Sequence, residues 1–147
     1  MKNKTLNFFG LLIMLSVVFV SCKKTVYTIK SDELAGDWIE TPQASITRTL
    51  HFETNGKFST DISSVDGSVA VTLNGKYVIK GDSLKVNILE RISKDDSGQI
   101  VKTTGNSDYF EKATFSVQNS KLTINYISYP ADAPVKTKST YNRILTD

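Results

Sequence analysis

Hydrophobic residues follow two different patterns along the chain. From Leu6 to Val20 they run on almost unbroken (LNFFGLLIMLSVVFV), interrupted by Asn7, Gly10 and Ser16. Beyond Ser31 they recur at every second position, in runs separated by Gly, Asn, Asp, Ser and Pro. A period of two sends alternate side chains to opposite faces of a β-strand, so the second pattern predicts strands with one apolar face. The first run is short for a bilayer span, which takes about 20 apolar residues. With Lys2 and Lys4 before it and the small Ser21 at its end, it has the three parts of a cleaved export signal, residues 1–21.

The alternating region can be read strand by strand. Ser31-Asp32-Glu33-Leu34 suits one helical turn with Ser31 as its N-cap. In the run Ile46–Phe52, residues Ile46, Leu50 and Phe52 share one face, with Thr47, Thr49 and His51 on the other. Asn55-Gly56 then marks a hairpin. A two-residue loop would oppose apolar to polar residues. A three-residue loop with a left-handed Gly56 pairs Phe52 with Phe58 and keeps both aromatics on one side. Asp66-Gly67 marks the next turn, and Val69 to Lys80 is the longest amphipathic run. Gly75 sits among its inward residues, either as a bend or bulge within one strand or, with Asn74, as a turn that splits it.

Lys80-Gly81-Asp82-Ser83 closes a hairpin that pairs Ile79 with Leu84, Tyr77 with Val86 and Gly75 with Ile88. Residues 93–108 are polar, with turns at Asp95-Asp96-Ser97-Gly98 and at Gly105-Asn106 and one short strand expected between them at Gln99–Thr103. Tyr109–Val117 and Leu122–Ser128 form another hairpin, pairing Val117 with Leu122, Phe115 with Ile124 and Ala113 with Tyr126. After a loop at 129–137, a last strand runs from about Lys138 to Leu145. The sum is an all-β domain, residues 32–147, of eight or nine antiparallel strands in an up-and-down meander. With no crossover helix and one apolar face, such a sheet closes into a barrel and so removes its edges.

Composition adds two limits. The formal charge is +3, and removal of Lys2 and Lys4 with the signal leaves +1 on the 126 residues from Cys22 to Asp147. A nearly neutral domain excludes nucleic acid as the expected partner. Cys22 is the only cysteine, so no disulfide framework exists and the sulfur is free for another use.

The residues FVSC, ending at Cys22 directly after the apolar run, resemble the lipobox of bacterial lipoproteins. That resemblance implies cleavage before Cys22, acylation of its thiol and of the new amino group, and a lipidated tether over residues 22–31. Two or three acyl chains anchor firmly, where one alone is marginal. In lipoproteins of the Bacteroidota type, acidic residues after the cysteine direct export to the cell surface. Lys23 and Lys24 stand there instead, so the expected location is the outer membrane with the domain facing the periplasm. Leu34-Ala35-Gly36-Asp37-Trp38, with its Gly-x-Trp, resembles the opening strand of lipocalin-like proteins of the calycin group. There the tryptophan closes one end of the barrel and an arginine of the last strand packs across it, which implies a Trp38–Arg143 pair. Gly75-Lys76-Tyr77 leading into Gly81-Asp82-Ser83-Leu84 is similar to small lipocalin-like lipoproteins of Bacteroidota. The chain departs from typical secreted lipocalins in being shorter, without a disulfide and without a helix after the barrel.

Catalytic chemistry finds little support. His51 is the only histidine and lies on a polar strand face, which suits a solvated side chain better than a metal ligand. No nucleophile elbow, phosphate loop or spaced calcium ligands occur, so neither metal nor cofactor is expected and the chain reads as a non-enzyme. Glu90 and Glu111 fall on the inward parity of their runs. The aromatics Phe52, Phe58, Tyr77, Phe115 and Tyr126 also share inward parity, and either fill the barrel or line one small apolar ligand site. Two functions follow: an anchored module binding a small hydrophobic ligand, or a filled barrel whose loops at 93–108 and 129–137 bind an envelope protein.

Overall fold

A computed structural model describes residues 31–64, 68–95 and 97–145. The expected signal, the lipidated Cys22 with most of its tether, and the Asp66-Gly67 turn lie outside the described residues. One helical turn, α1 (Ser31–Leu34), precedes β1 (Gly36–Thr41), β2 (Ile46–Phe52), β3 (Lys57–Ser64), β4 (Val69–Lys80) and β5 (Ser83–Lys94). There follow β6 (Ile100–Asp108), β7 (Glu111–Gln118), β8 (Lys121–Ser128), a single 3-10 turn at Pro130–Asp132, and β9 (Val135–Arg143). All pairings are antiparallel, in the order β4-β3-β2-β1-β9-β8-β7-β5-β6, and a further β4–β5 pairing closes the ring. The fold is therefore an eight-stranded antiparallel barrel with β6 as one additional strand.

The hairpin registers follow from which faces are apolar. Phe52 stands opposite Phe58 across a three-residue turn in which Gly56 has φ 83°, as the shared face of the two aromatics requires. Ile79 meets Leu84, Tyr77 meets Val86, and Gly75 meets Ile88. β4 is one strand, with a register shift at Asn74/Gly75 rather than a turn. Gly75 is required there for a reason beyond the bulge. A Cβ built on it would lie 1.9 Å from the Asn87 carbonyl oxygen, so the backbone of β5, not the Ile88 side chain, fills the space.

Three expectations are corrected. Gly105-Asn106 is not a turn: β5 runs on to Lys94 and β6 covers Ile100–Asp108, so most of the supposed loop at 93–108 is hairpin. Every residue of β6 is exposed, so its sequence carries no alternation to read. Second, Ala113 and Tyr126 do not register as a pair, because a bulge lies between Glu111 and Thr114 where Lys112 takes φ 49°. Third, the last strand begins at Val135 and ends at Arg143, three residues earlier than expected at its start.

β6 and β7 together act as one bent strand along β5. Asp108 pairs with Asn87, the Tyr109 N–H donates to the Val86 carbonyl, and Ala113 then pairs with Leu84. β8 meets this strand only from Glu111 downward. Among the described residues β6 therefore has β5 on one side and no strand on the other.

Candidate functional site

The barrel is plugged at one end, termed closed, and partly wetted at the other, termed open, and the side chains along its axis differ accordingly. At the closed end, where α1 leads into β1, Leu34 and Trp38 are wholly buried. The Trp38 Nε1–H donates to the Leu34 carbonyl (2.8 Å), which satisfies the one polar atom of a buried indole. Arg143 stands opposite Trp38 in the β1–β9 register, with its guanidinium carbon 4.3 Å from the indole centre. It also donates to the Ala35 carbonyl (2.8 Å) and to the Glu33 carbonyl (2.6 Å). The arginine thus ties the last strand to the first and satisfies one carbonyl of α1 and the one that follows the turn. Gly36 makes room for it: φ is +124°, and a Cβ would sit 2.8 Å from the Arg143 Nη1.

Above this plug the interior is packed with rings. Successive pairs Tyr77–Phe52, Phe52–Phe58, Phe58–Tyr109, Tyr109–Phe110 and Phe110–Tyr126 have centroids 4.6–5.7 Å apart, within the range of favourable aromatic contact. Phe52, Phe58, Tyr77 and Phe115 are buried, and Tyr126 is half-buried against them. The five aromatics singled out by parity all line this interior. Tyr109 and Phe110 bridge two of them at the β6–β7 bend; Tyr109 shares the inward parity of the expected Tyr109–Val117 strand, whereas Phe110 is on the opposite parity and turns inward only because of the bend.

Toward the other end the inward positions become polar and partly wet. Arg48 falls on the inward parity of β2 between Ile46 and Leu50, and Glu40 stands opposite the buried Tyr141 in the β1–β9 register. The Arg48 Nη1 donates to both Glu40 carboxylate oxygens, at 3.0 and 3.2 Å. The Glu40 side chain is 16% exposed and that of Arg48 43%. Burial is the largest single influence on the Arg48 pKa and lowers it, but the charge and hydrogen bond of Glu40 together with Tyr109 and Tyr141 outweigh it and hold the guanidinium above its ordinary value. Burial raises the phenol pKa values of Tyr109 and Tyr141, and Glu40 adds to both shifts, so the two hydroxyls stay protonated donors near the ion pair. The fully buried Thr60 hydroxyl lies close enough to Tyr109 to influence it, yet makes no well-formed hydrogen bond. The Tyr126 hydroxyl lies 3.4 Å from the Ser139 Oγ.

This inward group of Glu40, Arg48, Thr60, Tyr109, Tyr126 and Tyr141 is the candidate binding site. It offers a guanidinium, a carboxylate and three phenol hydroxyls above an aromatic floor. Sequence reading found Tyr126 and missed Arg48 and Glu40, although the parity of Arg48 with Leu50 and of Glu40 with Trp38 was available as a signal.

Other candidates separate. A bulge at Ile88/Glu90 sets Glu90 opposite Asn74 on the outward face, where it accepts from the Asn74 amide at 2.9 Å. Glu111 instead faces the Lys112 ammonium at 3.8 Å, so each carboxylate has its own partner. His51 is on the outer wall, but it is not simply solvated. Its Nδ1 lies 2.8 Å from the Asp37 Oδ1 and its Nε2 3.4 Å from the Asp61 Oδ2, with the Thr72 hydroxyl donating to Asp61. No group of three or more His, Cys, Asp or Glu side chains with metal-binding geometry occurs among the described residues. No described helix is long and apolar enough to cross a membrane. Comparison with family models, curated proteins and solved structures gives no match.

Proposed function

We propose that the protein is a lipid-anchored lipoprotein of the bacterial envelope whose lipocalin-like barrel holds a small amphipathic molecule at its open end. The apolar part of the ligand would rest on Tyr109, Phe110 and Tyr126, with its polar part at Arg48, Glu40 and the tyrosine hydroxyls. The observation that carries this reading is the inward Glu40–Arg48 pair. An inward ion pair with one partner half exposed contributes little stability, and apolar residues of similar volume do as well or better. A barrel filled only for stability has no use for it, whereas a ligand site does. The FVSC motif at Cys22 supports the anchor, and the Gly36-x-Trp38 plug with Arg143 across it supports the lipocalin-like reading.

Native mass spectrometry of the protein extracted from membranes in mild detergent tests both parts. The expected mass is that of the chain from Cys22 plus acyl groups, with a further noncovalent adduct that Glu40→Gln and Arg48→Met each remove. An unmodified Cys22 refutes the anchor, and an acylated protein that never carries an adduct refutes the ligand.

One observation favours a second reading, an interaction module. β6 exposes an unpaired strand edge, and Ile46, Ile100, Val101, Tyr129 and Val135 are exposed hydrophobics on strands or turns at the same end. Unpaired edges recruit strands from other chains. Crosslinking in cells from position 101 would recover one envelope protein, and Thr103→Pro on that edge would abolish the product.

A further inference from the structure

We infer that the outer wall of the barrel around Val78 is a membrane-docking face, built to lie on the anionic phospholipid surface that holds the anchor. The inference rests on the lipoprotein reading. Val78 lies near the end of β4, two residues before its last, on the outward parity between the inward Tyr77 and Ile79, and is 66% exposed. Lysines surround it. Lys85 stands directly opposite Val78 on β5, Lys80 is two residues further along the same face, and Lys76 is two residues before it. Lys57 of β3 is paired directly with Lys76. Like charges in directly opposed cross-strand positions destabilise a sheet, so the fold tolerates a local cost that an anionic surface would remove.

The wall is also indented. Where β5 leaves β7 and takes up β6, a depression of about 580 Å³ opens, floored by Leu84, Phe110 and Ala113 and rimmed by Lys80, Lys85 and Lys112. Two carboxylates face this rim. Asp108 lies 3.9 Å from the Lys85 Nζ, and Glu111 lies 3.8 Å from the Lys112 Nζ. Among the described residues no carboxylate lies within 4.0 Å of Lys57, Lys76 or Lys80, so the face keeps a positive excess. An exposed apolar centre in a lysine ring matches a phospholipid surface in both respects: anionic head groups outside, acyl chains within.

Position along the barrel fits as well. The Lys80–Ser83 turn belongs to the closed end, as does Ser31, where the described chain begins. Ser31 is nine residues from Cys22, a reach of at most about 30 Å when fully extended. Lys23 and Lys24 beside the anchor add to the same charge. The wall around Val78 is therefore within reach of the bilayer, while the open end with Arg48 and Glu40 is turned away from it.

The sole native cysteine gives a clean test. In the full acylated protein, Val78→Cys introduces the one free thiol, which takes an environment-sensitive fluorophore. Reconstituted in vesicles of phosphatidylglycerol and phosphatidylethanolamine with brominated acyl chains, the probe should shift to the blue and be quenched. Both effects should be lost in phosphatidylcholine vesicles and in about 1 M salt, where the Debye length is about 3 Å. They should also be lost when Lys57, Lys76, Lys80 and Lys85 are changed to Gln, with circular dichroism confirming that this variant stays folded. A probe placed by Lys138→Cys on β9 should remain in water throughout. Quenching at position 138 equal to that at 78, or an unquenched probe at 78 in the anionic vesicles, overturns the docking face while leaving the anchor intact. A protein whose mass shows no acyl groups overturns both.

Discussion

The two ends of the barrel are built from the same strands to opposite standards. At the closed end every inward polar atom has a partner. The indole N–H reaches Leu34, and the guanidinium of Arg143 lies on the indole and holds the carbonyls of Glu33 in α1 and of Ala35 just after it. At the open end an ion pair is half in water, Thr60 has an unsatisfied hydroxyl, and β6 is exposed along its whole length. Stability is concentrated where the strands converge on Trp38. The open half is left free to be reshaped by what it meets, as expected of regions with few buried apolar contacts.

That contrast can be broken, most severely at Trp38. Trp38→Ala is expected to cost about 3–5 kcal/mol, since it removes a fully buried aromatic and leaves Arg143 without its platform. Urea unfolding followed by circular dichroism measures it, and a midpoint equal to wild type would mean that the closed end is not the seat of stability. Gly75→Ala should follow. The 1.9 Å approach is to backbone, so the added methyl forces the β4–β5 ladder apart at a cost of about 1–3 kcal/mol or more. Arg143→Met keeps most of the packing but loses the charged hydrogen bonds, for about 2 kcal/mol.

The open end should respond differently. Glu40→Leu combined with Arg48→Met is expected to leave stability within about 1 kcal/mol of wild type, or to raise it, because an apolar pair carries no desolvation penalty. Arg48→Met alone should cost about 1 kcal/mol. It strands the Glu40 carboxylate, but Arg48 is exposed enough for solvent to screen much of the loss. If the double variant instead unfolds, the pair is structural and the ligand reading weakens. The smallest effect lies in the β5–β6 turn. The Ser97 hydroxyl and the Ser97 and Gln99 amides donate to the Asp95 carboxylate and lower its pKa. A lowered folded-state value stabilises the turn above the ordinary carboxylate range, and that support is lost as pH falls through the folded value. Amide exchange at Gln99 should therefore quicken in acid, measured relative to the intrinsic rate, while the Trp38 region stays protected.

The features most legible in the sequence are those where apolar alternation meets a turn that allows only one register. Phe52 opposite Phe58 and Tyr77 opposite Val86 follow from parity and loop length alone, since a slip of one residue would bury polar groups. β6 was legible only at its start, where a short strand was expected at Gln99–Thr103, for the converse reason. Both its faces are wet, so nothing in its remaining residues separates them from a loop. Glu90 was misplaced because one bulge reverses parity, and a bulge has no reliable local signature.

The class of fold, the meander and most hairpin registers are written in the sequence, because they depend on local alternation and turn chemistry. Which polar residues meet inside is set by closure of the barrel. Glu40 and Arg48 are eight positions apart and Tyr109 and Tyr141 lie far beyond them, yet curvature of the sheet turns all four toward one space. Closure did likewise for the lysines around Val78, gathered from β3, β4, β5 and β7 onto a single wall. Parity tells each side chain which face of the sheet it occupies. The curvature and closure of the sheet set what it faces across that space, and both arise from packing distributed along the whole chain.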